Sequence, residues 1–464
     1  MVLVLTMVVL QSISFSNYAL TTKTTNIIYG SAPYLTFDGG RTRVTNTEAL
    51  LGISLSDGRT FTPTTNNSSD NPIVLPVIGQ SFNDIGMLVP RDTDSIALSS
   101  LIGTPYNYWG DDDGDGQGID GITATGSLNL SIVDKDNNRV ARNEVLTICK
   151  APYKLTLSNG EGRLTTRYGV PNESRFTAGY ATYYINPKKE SSPVICYVRP
   201  YSLTVFGSSA ATWERLGFLP QSVTPSSYGS NFPTTGANNL FFYLEIRGTN
   251  QALSWAPVSH GGITATMTDS TSTSVRVTLT GPVATPSQWQ SENPGRIDRP
   301  SLPQVFELVG RDSSGNAVLK YGFELKQWFV NHGDQSCPTY SGISSWCNSL
   351  GYRLPKVRDL TNASCQGRYS YECRDHGNEV EGATPSSPQN TYMRNIGGGL
   401  FSEWGNIYQY PDARFDEWYE RYWTSDQSID NNEHYFLVDS DAGSIVYNSY
   451  AGIGYNLSGV CVYP

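Results

Sequence analysis

The densest set of side chains able to do chemistry is the run Asp111-Asp112-Asp113-Gly114-Asp115-Gly116-Gln117-Gly118-Ile119-Asp120. Asp111, Asp113 and Asp115 followed by Gly116 match the D-x-D-x-D-G opening of a calcium loop. Calcium takes about six to eight oxygen ligands, and alternate residues of a tight turn can aim theirs at one point. An EF-hand would carry a glutamate at the twelfth position, where Ile122 stands with no side-chain oxygen. Asp120 is the residue able to close the site in another way. Crowded carboxylates repel one another unless a cation or water screens them. The run therefore reads either as a calcium site or as a solvated acidic turn.

A second concentration is aromatic. Between Phe401 and Trp423 lie Trp404, Tyr408, Tyr410, Phe415, Trp418, Tyr419 and Tyr422. Tyrosine and tryptophan bury large areas at low entropic cost and are favoured at interfaces. Trp404, Tyr408, Tyr410, Trp418 and Tyr419 are accordingly the candidate binding residues, with core packing the alternative for each. Trp423 opens a strand and is expected in the core. Catalysis has thinner support. His260, His332, His376 and His434 are far apart in sequence and lack metal-ligand spacing. Asp375-His376 beside Glu372 has the composition of an acid–base group, but polar loops hold such residues by chance. Neither a G-x-S-x-G elbow nor a P-loop occurs. An enzyme is therefore not the expected reading.

The chain that must position these residues is 464 residues long, enough for two or three domains. Charged residues make up only 16%, while Ser, Thr, Asn, Gly and Tyr abound, a composition that suits secreted β domains. A net charge of -10 argues against nucleic acid and anionic membrane surfaces, both of which need clustered Lys and Arg. The apolar run Val2–Leu10 is too short to span a bilayer and suits the core of a signal peptide over residues 1–20, although a positive n-region is missing. No later run is long enough to cross a membrane, so no stable membrane insertion is expected and the mature protein is expected to be soluble. The seven cysteines contain no C-x-x-C pair, which argues against zinc ribbons and thioredoxin-like chemistry. With an export signal, disulfides are the better reading, and an odd count leaves one over.

Period-two patterns dominate the first two thirds. Leu128, Leu130 and Ile132 alternate ahead of a turn at 134–138, within an expected β domain over 21–150. A second, sandwich-like domain is expected over 151–325. There Leu240, Phe242, Leu244 and Ile246 alternate, and Ile263, Ala265 and Met267 pair with Val275, Val277 and Leu279. Phe306–Leu308 and Val318–Val330 predict a hairpin around 312–316. The pattern changes in the last third, expected as an α+β domain over 326–464. Ile343, Trp346, Cys347 and Leu350 fall on one helix face, and Gly351 supplies the stop. Strands follow at Tyr435–Val438 and Ile445–Tyr450, joined by the turn 440–443.

The order of this last segment resembles the C-type-lectin-like module at the tips of bacterial adhesins. It runs from the helix ending Leu350-Gly351-Tyr352-Arg353-Leu354-Pro355, through Tyr422-Trp423-Thr424-Ser425, to the terminal Gly459-Val460-Cys461-Val462-Tyr463-Pro464. Long stretches elsewhere resemble the intimin- and invasin-like adhesion-domain family of enteric bacteria: Leu35-Thr36-Phe37-Asp38-Gly39-Gly40, Tyr108–Gly116, Ile148–Tyr153, Asn231–Leu240 and Leu325–Val330. The resemblance implies a mainly β chain of two immunoglobulin-like or related β-sandwich domains followed by a C-type-lectin-like head. It implies an exported adhesin, secreted or at the cell surface, whose head binds a protein or glycan receptor on a host or neighbouring bacterial cell. An outer-membrane export partner is a further expectation, since those relatives carry a barrel that this chain lacks. The alternatives are a secreted effector without an adhesive role, and an enzyme built on the lectin-like fold. Calcium-dependent sugar-binding lectins use Glu-Pro-Asn or Gln-Pro-Asp with Trp-Asn-Asp; Tyr410-Pro411-Asp412 and Trp423-Thr424-Ser425 match neither. In the fold that the head resembles, the first helix lies against the final strand, which implies a Cys347–Cys461 disulfide. Cys365–Cys373 and Cys149–Cys196 are the accompanying expectations, with Cys337 free.

Overall fold

The computed structural model describes residues 29–464 apart from 115–122, 190–191, 215–216, 334–338, 377–378, 416–420, 430–433 and 448–456. The expected signal segment therefore lies outside the described residues. The protein is mainly β, with several small sheets and its longest helix in the last third. It divides into two compact units, residues 1–188 and 189–464.

The first unit is organised around a five-stranded sheet. Its strand order is Ile73–Val74, Gly179–Asn186, Tyr153–Asn159, Ser127–Val133, Ser95–Ala97, with the first pair parallel and the others antiparallel. The long strands alternate as their sequences require: Leu128, Leu130 and Ile132 face inward, as do Leu155, Leu157, Tyr183 and Ile185. Asp134 builds the turn, its Oδ1 accepting from the N–H groups of Asp136 (2.8 Å) and Asn138 (2.9 Å). Asn137 takes the left-handed conformation that this turn needs. The domain boundary expected at 150/151 is corrected here. It falls between Ser127–Val133 and Tyr153–Asn159, which are paired neighbours in the sheet. Alternation marks a strand but does not say which strand is its neighbour.

The second unit contains two facing sheets and, continuous with them, a helix-bearing head. One sheet is built on Val194–Pro200, Phe241–Arg247, Ser274–Thr280 and Ile263–Thr268, the other on Gln304–Arg311 and Ala317–Leu325. Ala265 lies opposite Leu279 and Met267 opposite Val277, the register the alternation predicts. Phe242 from one sheet meets Phe323 from the other edge-on at 5.9 Å. The expected run Val318–Val330 is broken at Lys326, whose N–H donates to Thr234 O (2.7 Å). The chain there leaves the sandwich and enters a third sheet, in which Gln327–Asn331 lies between Thr235–Ala237 and the terminal strand Val460–Tyr463. Sandwich and head thus share a sheet, and the expected boundary at 325/326 does not separate two cores.

In the head, the helix Tyr340–Leu350 buries Ile343, Trp346, Cys347 and Leu350. Thr339 caps its start by accepting from Gly342 N–H. Gly351, at φ +88°, ends it. Tyr352 N–H donates to Cys347 O and Gly351 N–H to Asn348 O, the paired bonds of a left-handed glycine cap. Cys347 is joined to Cys461 on the terminal strand, with Cα atoms 5.4 Å apart, and Cys365 is joined to Cys373. Cys149 and Cys196 are also disulfide-bonded. Cys337 lies outside the described residues. A four-stranded sheet completes the head, in the order Ile445–Tyr447, Tyr435–Asp439, Arg421–Gln427, Leu457–Ser458. Among the described residues no helix is long and apolar enough to cross a membrane.

Candidate binding surface

The aromatic stretch 401–423 is where a recognition surface was expected, and most of its described part is interior. The short helix Leu400–Trp404 is buried along its whole length. Trp404 donates from Nε1 to Thr235 O (3.0 Å), and Tyr410 donates from its hydroxyl to Trp404 O (2.9 Å). Neither ring is exposed, so Trp404 and Tyr410 are corrected from binding residues to core. The reason is positional: the sandwich supplies a second wall over a helix that, judged from the head alone, has an open face. Trp423 is buried as expected. Trp418 and Tyr419 lie outside the described residues. Of the five candidates, Tyr408 is described and reaches solvent.

Two buried charges hold this junction. The Glu403 carboxylate accepts from Thr234 Oγ1 (2.7 Å), Thr235 N–H (2.9 Å), Thr235 Oγ1 (2.6 Å) and Gly397 N–H (2.8 Å). Burial still pushes its pKa above the usual carboxylate range, although those hydrogen bonds favour the charged form. Arg394, also fully buried, donates to the carbonyls of Ser202 (2.5 Å), Thr204 (3.0 Å) and Glu403 (2.7 Å). Its guanidinium lies 5.0 Å from the Trp213 ring centre. Gly405, at φ +74°, is required beside it, because a Cβ there would fall 2.1 Å from Arg394 Nη2. Nothing in the sequence pattern marked Arg394 or Glu403. A charged residue in an irregular segment reads as exposed until the tertiary structure closes over it.

Beside this junction lies a solvent-facing patch outside the candidate binding residues. After the strand Val194–Pro200 the chain runs Tyr201-Ser202-Leu203-Thr204-Val205. Tyr201 is 42% exposed, Leu203 52% and Val205 43%, while Ser202 and Thr204 carbonyls turn inward to Arg394. Tyr408, 38% exposed, belongs to the adjoining segment, where Gln409 donates to Thr204 Oγ1 (3.4 Å). Tyr201 is supported from beneath by Phe241 (ring centres 4.8 Å) and Tyr410 (5.7 Å). Beside it, Arg199 pairs with Glu245 (3.0 Å) and lies over the Tyr243 ring at 4.5 Å. An open groove of about 530 Å³ runs between Arg199, Tyr201, Leu203, Tyr243 and Gln409. Tyr and Arg held on a rigid base are residue types enriched where protein interfaces carry their energy, and exposed aliphatic side chains beside them add apolar surface. The alternation at 201, 203 and 205 was visible as a strand-like pattern, but which face lies uncovered was not.

The acidic run is partly described. Asp112 turns away from its neighbours: it pairs with Arg43 and accepts from the Tyr34 hydroxyl (2.9 Å). Asp113 accepts from Ser31 N–H (2.5 Å), and Asp111 Oδ1 accepts from Gly114 N–H (3.1 Å). Asp115 and Asp120 lie outside the described residues. Among the described residues no group of three or more His, Cys, Asp or Glu is arranged to hold a metal ion. The structure also joins groups that are distant in sequence. His376 stacks on Tyr447 (3.7 Å), and His434 Nδ1 lies 2.7 Å from the Tyr447 hydroxyl. His376 Nδ1 is 3.2 Å from Glu379, and Glu372 is paired instead with Arg421 (3.3 Å).

No family model matches the chain, and no curated protein matches it. Solved structures do match it in part. The chain is structurally similar to invasin, described as a bacterial integrin-binding protein, at 13% identity and a TM-score of 0.34 over 75% of this chain and 52% of that one. The chain thus spans about half the length of the invasin structure. It is also similar to the C-terminal 282-residue fragment of intimin, solved in complex with the intimin-binding domain of the translocated intimin receptor. That match has 12% identity and a TM-score of 0.32, over 74% of this chain and 93% of the fragment. A fragment of intimin from enteropathogenic E. coli matches at 14% identity and a TM-score of 0.25, over 50% of this chain and 90% of that one.

Proposed function

We propose that this chain is an adhesin-like exported protein whose immunoglobulin-like sandwich carries a C-type-lectin-like head. In this reading it is secreted or held at the bacterial surface, and it binds a receptor on a host or neighbouring cell. The observation that carries the reading is the junction. Sandwich and head share a sheet and one continuous hydrophobic core, tied by Arg394 and Glu403. A binding head joined to its support by a flexible linker loses orientation when the tethered partner pulls. A head whose core continues into its support keeps it. The disulfides of the head suit an oxidising exterior. The exposed Tyr201–Val205 patch, with Tyr408, supplies interface chemistry on that rigid base, and Trp418 and Tyr419 remain proposed contact residues. An outer-membrane export partner belongs to the same proposal.

A calcium ion in the acidic run is part of the proposal for the first unit. Asp111 and Asp113 would contribute carboxylate oxygens, and Asp115 and Asp120 would complete the set. Bound calcium would neutralise carboxylates that otherwise repel and would stiffen the turn. Adhesion itself is tested by coating beads with the full chain and presenting them to cultured epithelial cells and to bacterial cells. Attachment above albumin-coated beads, competed by free protein, is the expected result. Background attachment to both cell types by protein that melts cooperatively would overturn the reading.

A further inference from the structure

We infer that the seam between the segment Pro286–Glu292 and the first helix of the head is a saccharide-binding pocket. A cavity of about 590 Å³ opens there, within the range of about 300–1,000 Å³ usual for small-molecule sites. Its inner surface is aromatic: Trp289, Trp346 and His332. Trp346 donates from Nε1 to Gln288 O (2.9 Å), which ties the helix to the segment facing it. The His332 ring stands edge-on to Trp346 at 4.4 Å. Trp289 is pressed against Gly333, where a Cβ would fall 2.3 Å from the indole. The Trp289 Nε1–H is buried and has no acceptor among the described residues.

The walls have a different character. Ser341 and Ser345 project from the helix, with Thr339 at its start. Ser291 and Gln290 face them, and Glu292 stands exposed at the rim. The donor and acceptor types discriminate between ligand classes. An anion needs donors alone and would meet the Glu292 carboxylate. An apolar ligand would leave the hydroxyl and amide groups without partners. Hydroxyls and an amide both donate and accept, as do the hydroxyl groups of a sugar ring. The apolar face of such a ring suits the aromatic floor. None of these residues belongs to the acidic run, so binding is independent of calcium. The pocket also holds whether or not the head takes a protein receptor.

Saturation-transfer NMR on the full chain tests this, using the methyl glycosides of glucose, galactose, mannose and N-acetylglucosamine at millimolar concentration with EDTA present. Saturation transfer to the ring protons of at least one glycoside is expected. Ser345→Trp fills the cavity from an exposed helix position and should abolish the signal with the melting transition intact. Ser341→Tyr serves the same purpose if that variant does not fold. No transfer from the folded wild-type protein to any of the four glycosides would overturn the inference. Undiminished transfer in the folded cavity-filling variant would do so too, as would displacement of the glycoside by inorganic sulfate.

Discussion

The two units of this protein bury their polar groups in opposite ways. In the first, sheet strands alternate and the core is mainly Leu, Ile and Val; the buried polar side chains there are small or belong to turns. In the second, the core is richer in aromatic rings, and Arg394 and Glu403 sit inside it with no exposure. The carboxyl groups follow this division. Burial opposes ionisation of Asp38, Glu48 and Asp57. Hydrogen bonds from Thr42, from Thr62 and Thr64, and from Arg59 outweigh it and hold all three below the usual range. Asp113 is held low chiefly by Ser31 N–H. In the second unit burial wins at Glu372, Glu403, Asp426 and Asp439, which are all raised. Glu307, Asp312 and Glu379 are lowered by their hydrogen bonds. A core of repeated short-range pattern can leave its acids on the rim. A core assembled from distant irregular segments must satisfy their backbone groups, and here buried charges do that.

This contrast can be broken by calorimetry of the full chain, with each unit giving its own transition. The largest effect is expected from replacing Cys347 and Cys461 together by Ala. The bridge spans a sequence separation of 114, and its loss should lower the stability of the second unit by roughly 4–5 kcal/mol. A matching fall in the first transition would show that the units do not unfold independently. Glu403→Ala leaves the donors of Thr234, Thr235 and Gly397 without their acceptor inside the core. About 3 kcal/mol is expected to be lost, again from the second unit alone. A loss near zero would mean that the carboxylate does not hold the junction.

Calcium sharpens the comparison from the other side. At a hundredfold excess over its dissociation constant it should stabilise the first unit by about 2.7 kcal/mol and leave the second unchanged. Asp113→Ala should remove the gain. An unchanged first transition in the wild-type protein would eliminate the calcium site.

Acidification should separate the units further. An acid whose folded pKa lies below its unfolded value binds its proton later in the folded state. The stability it contributes is present above the unfolded pKa and is lost as pH falls through the folded one. Asp38, Glu48, Asp57 and Asp113 therefore lower the first transition as pH drops below about 4. An acid with a raised folded pKa binds its proton earlier in the folded state, so stability rises as pH falls from the folded pKa to the unfolded one. Glu372, Glu403, Asp426 and Asp439 should accordingly support the second unit on the way down from neutrality, ahead of the losses at Glu307, Asp312 and Glu379. Parallel falls of both transitions from pH 7 downward would refute the assignment.

The smallest effect on stability is expected at the patch. Leu203→Ala and Val205→Ala, both at solvent-facing positions, should change stability by about 0.5 kcal/mol or little more. They should nevertheless reduce bead attachment severalfold. Attachment at the wild-type level would move the binding surface elsewhere on the second unit.

Particular residues show how far the sequence could be read. Leu128, Leu130 and Ile132 lie on one face because strand geometry alternates, and Ile343, Trp346, Cys347 and Leu350 on another because a helix repeats near 3.6. The pairing of Ala265 with Leu279 followed from a short turn, and the helix stop at Gly351 from the one residue that takes its φ cheaply. The candidate site was less legible. Trp404, Tyr410 and Tyr408 come from one aromatic stretch, yet two are interior and one is exposed. The Tyr201–Val205 ridge offered an alternation with no sign that one face would stay uncovered.

The sequence by itself determined what local geometry can enforce: strand faces, helix limits, turn residues, the disulfide-compatible composition and the excess of negative charge. Only the tertiary structure decided which strands share a sheet across residue 150, and that sandwich and head form one core. It also decided that Arg394 and Glu403 are interior and that Tyr201, Leu203 and Val205 are not. Periodicity is set by bonds within a few residues, so it can be read along the chain. Burial at a junction is set by the surface that arrives from elsewhere in the chain, here Thr234–Thr235 closing over a helix at 400–404, and no local pattern encodes that arrival.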